Sequence, residues 1–394
     1  MTETIAIGSS LRSLARDAGR GAVIATIAFL TLVDLFAAQA VLPSLARAYG
    51  VSPAAMGLAV NASTLGMAIA ALTVALISAR IERRRGIVIS LCLLAVPTFL
   101  LGYAPDISTF SILRVMQGLC MATAFSLTLA YLGENCASHV ASGAFAAYIA
   151  GNVASNLFGR LASASLADHL GLRGNFIVLA LLNVVGAAFV ISTIHMSRAP
   201  AASRNSGEGV AGLRANLGQP EQVASYVIGF LILFAFIGAF SFINFVLAHP
   251  PISLDGRMLG LIYLVFAPSL VTTPLAGQAA SAWGARRAIL TGLAVAAAGL
   301  PLLLATWLPA ILLGLCLVGV GTFFAQAVTS GYATTKAREH RGAASGLYLA
   351  SYFSGGLVGA AVLGQVFEHF GWSGCVAGVF VALAVAAVSA RRIS

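Results

Sequence analysis

Twelve runs of apolar residues divide the chain, each near the ~20 residues a helix needs to cross a bilayer. They lie at about 22–43, 54–79, 86–104, 107–132, 141–166 and 174–196, then 223–248, 257–281, 287–305, 308–332, 342–366 and 373–390. A chain that enters lipid twelve times must satisfy its backbone within each segment, which confines it to helices. The expected fold is an all-α polytopic membrane protein of twelve transmembrane helices. Composition agrees: of 394 residues 59% are hydrophobic and 9% charged, too little polar surface to cover a soluble fold of this size. The stretch Ser197–Gln222, rich in Ala, Gly, Ser and Arg and without apolar periodicity, separates six runs from six. It reads as a flexible linker. The expected division is 1–21 N-terminal segment, 22–196 first bundle, 197–222 linker and 223–394 second bundle with a short tail.

The two halves share a plan. Tyr148–Gly174 (YIAGNVASNLFGRLASASLADHLGLRG) aligns without a gap to Tyr348–Gly374 (YLASYFSGGLVGAAVLGQVFEHFGWSG), 200 residues later. Tyr148/Tyr348, Leu157/Leu357, Gly159/Gly359, His169/His369, Gly171/Gly371 and Gly174/Gly374 are identical, and Asp168 corresponds to Glu368. Duplicated halves of this length are expected to form two pseudo-symmetric six-helix bundles.

The net charge of +10 is distributed as the positive-inside rule requires, and nucleic acid is not an expected partner. With the N-terminus inside, 17 of the 22 basic residues fall in cytoplasmic segments, among them Arg80, Arg83, Arg84, Arg85, Arg286, Arg287, Lys336, Arg391 and Arg392. The outer loops hold Arg47, Arg173 and Arg257. Both termini are therefore expected in the cytoplasm, in a plasma (inner) membrane, with the chain monomeric.

Enzyme chemistry has no foothold. The five cysteines show no paired spacing, the six histidines sit at run ends or loops without HExxH, and there is no GxxxxGK[ST]. No cofactor or metal is expected.

Three ionisable residues lie inside apolar runs: Asp34, Arg114 and Arg160. Such groups are costly in lipid and mark pathways or relays. By helical rise they lie roughly 14, 10 and 9 Å from the outer ends of their runs, at depths where opposite charges can meet. Burial favours a neutral Asp34 and a nearby arginine favours the carboxylate, the balance that proton coupling needs. A fixed structural ion pair is the competing reading. Polar residues at nearby levels complete a candidate cavity: Gln39, Asn61, Gln117, and the stripe Asn152, Asn156, Arg160 at helical spacing, with Asn244 and Gln326 in the second half. Tyr348 and Tyr352 stand among aromatics that include Phe236, Phe240, Phe266 and Phe323, a wall suited to an amphipathic organic compound.

These residues carry a resemblance to the major facilitator superfamily, in its twelve-helix efflux branch, over about residues 25–390. Ile112–Gly118 (ILRVMQG) resembles the family's motif in the fourth helix, and the resemblance implies a part in proton coupling for Arg114. Gln39–Pro43 (QAVLP) resembles the end of its first helix. Gly151–Gly159 resembles the Gly-rich antiporter signature without its Gly-Pro pair. The family's gate loop, G-x-L-x-D-R-x-G-R-R, is altered here: Ala79 replaces its Asp and Glu82 its second Gly, beside Arg80, Arg83 and Arg84. The matching loop of the second half, Gly277–Arg287, keeps Gly277, Gly284, Arg286 and Arg287 and also lacks the acid.

The expected function is secondary transport by alternating access: export of a small organic compound in exchange for protons, with Asp34 as proton carrier. Import of an anionic solute held by Arg114 and Arg160, or a membrane sensor on the same fold, are the alternatives.

Overall fold

The computed structural model describes residues 2–77, 81–135, 138–194, 207–337 and 341–393, the side chains of 2–20, 132–135, 138–146, 207–210 and 257 excepted. Arg80 of the expected gate loop, Cys136 and the first part of the expected linker lie outside the described residues.

The apolar runs become helices whose ends are set by local chemistry. The first, α1 (Thr2–Ala40), is followed by a short helix, Leu42–Tyr49, that begins with a proline in its first turn and ends on Gly50 at φ 62°. Next, α2 comes in two pieces, Pro53–Asn61 and Ser63–Ile77, broken at Ala62. Then α3 (Arg83–Leu101) is capped by Glu82, whose carboxylate accepts from the backbone N–H groups of Arg84 and Arg85 at 3.1 and 2.7 Å. Ahead of α4 (Ile107–Asn135), Asp106 accepts from the Thr109 N–H at 2.8 Å, and these bonds hold its carboxyl below the usual carboxylate range.

Ser138–Thr193 holds two spans, α5 and α6, which meet at Gly171 (φ 72°, ψ 174°). The chain reverses there: Asn175 donates to Ser163 at 2.9 Å, although twelve residues of unbroken helix would hold them about 18 Å apart. In the second half α7 is Pro220–Leu247. The next span, α8, is assembled from Gly256–Leu261, a 3₁₀ turn Ile262–Phe266, Ala267–Thr272 and, after a 50° bend, Ala276–Trp283. It was expected as one uninterrupted run. Then follow α9 (Ala285–Gly299, extended by the 3₁₀ turn Pro301–Leu304) and α10 (Leu308–Lys336). Arg341–Ser389 holds α11 and α12, which meet at Gly371 (φ 69°, ψ −167°).

Nine helices among the described residues are long and apolar enough to span a membrane; two of these are double spans folded at Gly171 and Gly371, and the bent α8 adds one more. The count comes to twelve crossings, as expected. The expected linker differs: its later part forms a helix, Gly207–Leu217, which packs against α2, α7 and the Arg341–Ser389 helices.

The two halves repeat specific contacts as well as topology. Tyr148 donates its hydroxyl to the Phe125 carbonyl of α4 at 3.0 Å, and Tyr348 to the Gln326 carbonyl of α10 at 3.3 Å. Gly159 of α5 lies against the backbone of Val33 in α1, and Gly359 of α11 against Phe234 in α7. Small residues let membrane helices approach this closely. The halves meet chiefly where α2 lies along α11. Gly346 faces Ala75 at the arginine-rich end, Gly356 faces Thr64 midway and Gly364 faces Ala54 at the far end. A second seam joins α5 to α8, where Gly260 lies against Ala164.

Candidate functional site

Two buried polar clusters occupy the middle of the molecule, and they differ in what their charged groups touch. The first lies inside the N-terminal bundle. Asp34 of α1 is buried, and its Oδ2 accepts from Thr98 of α3 at 2.9 Å and from Asn183 of α6 at 2.7 Å. Its Oδ1 has no donor. Gln117 of α4 donates to the Thr98 hydroxyl at 2.7 Å, so Thr98 links the amide to the carboxylate. That hydroxyl has a second acceptor within reach, the Leu94 carbonyl at 2.7 Å.

Arg114 completes this cluster in a way its charge does not suggest. Its Nε donates to the Val60 carbonyl at 2.7 Å; Nη1 donates to the Asp34 carbonyl at 3.1 Å and to Gln117 at 2.7 Å; Nη2 donates to Ser63 at 3.0 Å and to the Leu35 carbonyl at 3.4 Å. Five bonds match the five N–H groups of a guanidinium. Val60 lies in the last turn before the break at Ala62, where helical carbonyls lose their own partners. Arg114 therefore ties α1, α2 and α4 together through backbone, and it bonds the main-chain carbonyl of Asp34 rather than its carboxylate.

The second cluster lies between the bundles. Arg160 of α5 is fully buried and is bonded through Nη2 to Gln39 of α1, while its Nε and Nη1 have no acceptor. Gln39 donates to Asn61 of α2 at 2.7 Å. Asn244 of α7 donates to the Gln39 carbonyl at 3.3 Å and accepts from the Tyr263 hydroxyl of α8 at 2.7 Å. One side of the network thus belongs to each half of the chain. Around the guanidinium stand five aromatic rings: Tyr263 at 4.5 Å from its centre, Phe36 and Phe266 at 5.7 Å, Phe240 at 5.9 Å and Phe236 at 6.0 Å. One turn away on α5, Asn156 is buried with neither amide atom partnered. No carboxylate among the described residues is within ion-pair reach of Arg160.

Comparison with known proteins decides the family. The Major Facilitator Superfamily matches residues 24–254 and again 230–393, which together cover nearly the whole chain. The chain belongs to this superfamily. Relatives include the MFS-type transporter YybF of Bacillus subtilis, 25% identical over 360 residues, covering 91% of this chain and 89% of that one. The inner membrane transport protein YnfM of Escherichia coli is 26% identical over 356 residues, covering 90% and 84%. Among solved structures, a bacterial homologue of the human lysosomal transporter Spinster, inward-facing and unoccupied, superposes with a TM-score of 0.75 at 14% identity, covering 96% of this chain and 97% of that one. The nucleoside transporter NupG gives 0.73 at 12%, covering 94% and 98%. The superfamily makes the chain a membrane transporter and not an enzyme.

Within this MFS fold the residues singled out from the sequence separate into groups. Gln39, Asn61, Asn244 and Arg160 form one network, and Asp34, Arg114 and Gln117 another. Asn156 adjoins the first, and Asn152, half-buried with an unpartnered Oδ1, continues its stripe. Tyr348, Tyr352 and Gln326 lie apart from both. Tyr348 is spent on the Gln326 carbonyl and stacks on Tyr352 with centroids 6.1 Å apart, the packing role that its repeat mate Tyr148 also fills. At the arginine-rich end Glu82 caps α3, Arg83 donates to the Ile81 carbonyl at 3.2 Å and Arg84 bonds the Ile191 carbonyl of α6. Gly277 has open space around it and Gly284 (φ 84°) turns the chain between α8 and α9, with Arg286 and Arg287 exposed. Sequence reasoning passed over Thr98, Asn183, Ser63, Phe36 and Tyr263. Asn183 carried a usable signal, an amide in the middle of an apolar run.

Proposed function

We propose that this transporter exports a small organic compound in exchange for protons, with Asp34 carrying the proton. The observation that supports this is the geometry of its carboxyl. Asp34 is the one acid placed within the apolar runs, its carboxyl is buried against polar groups of two other helices, and Oδ1 is bare. A proton would sit at Oδ1 without displacing any bond. Neutralising the carboxyl weakens its pull on Thr98, whose single hydroxyl proton then turns to Leu94 on its own helix. The hold of α3 on α1 loosens. Arg114 keeps α1, α2 and α4 together throughout, so the change is directed at α3 and α6. Both termini lie in the cytoplasm, because the arginine-rich end carries the positive-inside excess. The chain works as a monomer in the plasma (inner) membrane.

The experiment is an accumulation panel in cells lacking their own exporters, comparing wild type, Asp34→Asn and empty vector at two external pH values. Wild type is expected to lower accumulation of some compound only while the proton gradient stands, and Asp34→Asn to abolish this at equal expression. Gradient-dependent efflux by the variant would move the coupling site elsewhere. A second reading, import of an anionic solute by symport or uniport, is favoured by the open donors of Arg160; raised accumulation in wild type would select it.

A further inference from the structure

We propose that the compound held between the bundles is an organic monoanion, a carboxylate on an aromatic or other apolar body, with Arg160 as its anchor. Its status as substrate rests on the transport function proposed above; the anion site itself rests on the geometry around Arg160.

Gln39 accepts from one nitrogen of this guanidinium, and Nε and Nη1 are bare although the residue is fully buried. A guanidinium presents two edges that take a carboxylate with two parallel bonds, one formed by Nε–H with one Nη2 hydrogen, the other by Nη1 with the second. Whichever Nη2 hydrogen Gln39 accepts, one whole edge stays open. The five rings hold the charge when nothing is bound, through their negative faces, and leave Nε and Nη1 without a hydrogen-bond partner. They come from α1, α7 and α8, so an apolar body placed against them touches both halves. Asn156, one turn away with its amide unpartnered, offers a further donor to the same anion.

The class follows from charge. A buried cation without a counter-ion attracts an anion, and a single free guanidinium matches a single negative charge. A dianion would need a second cation, and the other arginine buried within the apolar runs of this bundle, Arg114, has every N–H engaged. A cationic compound would be repelled.

The test is equilibrium binding to the purified full-length protein in lipid nanodiscs, read as a concentration-dependent rise in melting temperature. The probes are benzoate, 2-naphthoate and octanoate, each beside its neutral amide and its ammonium analogue. At least one carboxylate is expected to stabilise wild type where its amide and ammonium partners do not. Arg160→Gln is expected to weaken that binding by about tenfold or more. Arg160→Lys, which keeps a point charge but loses the fork, is expected to fall between them. Should Arg160→Gln not fold, the lysine variant carries the comparison. The proposal is overturned if no carboxylate is preferred over its amide, or if the preference passes undiminished into the Arg160 variants. Asp34→Asn separates this from the coupling reading. It is expected to bind carboxylates while failing to drive export; export by that variant would remove Asp34 as the carrier and leave the anion site standing.

Discussion

Arg114 and Arg160 are the same residue type, buried to the same degree in the same bundle, yet their surroundings assign them opposite roles. Arg114 has five acceptors and Arg160 has one. Removing Arg114 leaves three carbonyls and two side chains without their donor in a site water does not reach. Arg114→Gln is therefore expected to cost about 3 kcal/mol or more, whereas Arg160→Gln, which breaks one bond and removes an uncompensated charge, should melt near wild type. Thermal unfolding of the two purified variants side by side checks this; similar losses in both would mean that counting acceptors misjudges Arg160. The sequence placed Asp34, Arg114 and Arg160 inside the membrane and left a carboxylate–guanidinium pairing open. It did not reveal that Arg114 would reach main-chain carbonyls instead. Those acceptors are backbone atoms, one of them freed by the helix break at Ala62, and backbone acceptors leave no mark in residue identity. Thr98 was hidden for a different reason: a hydroxyl in an apolar run says little by itself, and only folding brings it to Asp34.

At the scale of elements, the hinges between α5 and α6 and between α11 and α12 were the most legible feature, because the repeat ends in the same acid-His-x-Gly-x-x-Gly pattern in both halves. Gly171 and Gly371 adopt φ near +70° with ψ close to 180°, a region essentially closed to residues with a Cβ. Neither has an atom within 4 Å of where a Cβ would stand, so substitution meets strain and not collision. Gly171→Ala and Gly371→Ala are each expected to destabilise by about 1–3 kcal/mol, with similar losses in the two because the conformations match. Melting curves of the single variants test the symmetry, and a loss confined to one half would show that the other hinge relaxes. Two elements were not legible. The run 257–281 is apolar throughout, and nothing in its composition marks the 3₁₀ turn or the bend that bring Tyr263 and Phe266 to Arg160. The helix Gly207–Leu217 contains two glycines after its first residue's and little apolar periodicity; it is held by packing on α2 and the Arg341–Ser389 helices and by the buried Asn216, which donates to the Gly212 carbonyl at 2.8 Å. Tertiary contacts of this kind override local propensity.

Across the whole molecule, alternating access requires the two halves to separate at one end while staying joined at the other, so the contacts that cross between them at each end set the balance. At the end opposite the arginine-rich one, Glu368 of α11 accepts from the Ala54 N–H of α2 at 2.9 Å. Ala54 lies in the first turn of α2, whose N–H groups have no helical partner and whose dipole favours a negative charge. Ser52 takes the N–H of Ala55, and Glu368 supplies from the other half what Ser52 leaves unsatisfied. The bond exists only while that end is closed. Removing it should shift the population toward a state open there, without disturbing either bundle, since Glu368 is exposed and makes no other bond among the described residues. Spin labels at Tyr103 and Trp307, on loops of the two halves at that end, would report the change as a distance distribution in a background without reactive cysteines. Glu368→Ala is expected to enlarge the long-distance population, and Glu368→Gln, which keeps an acceptor for Ala54, to change it less. An unaltered distribution in Glu368→Ala would mean that the α2–α11 packing alone closes the molecule, with the carboxylate a passive cap.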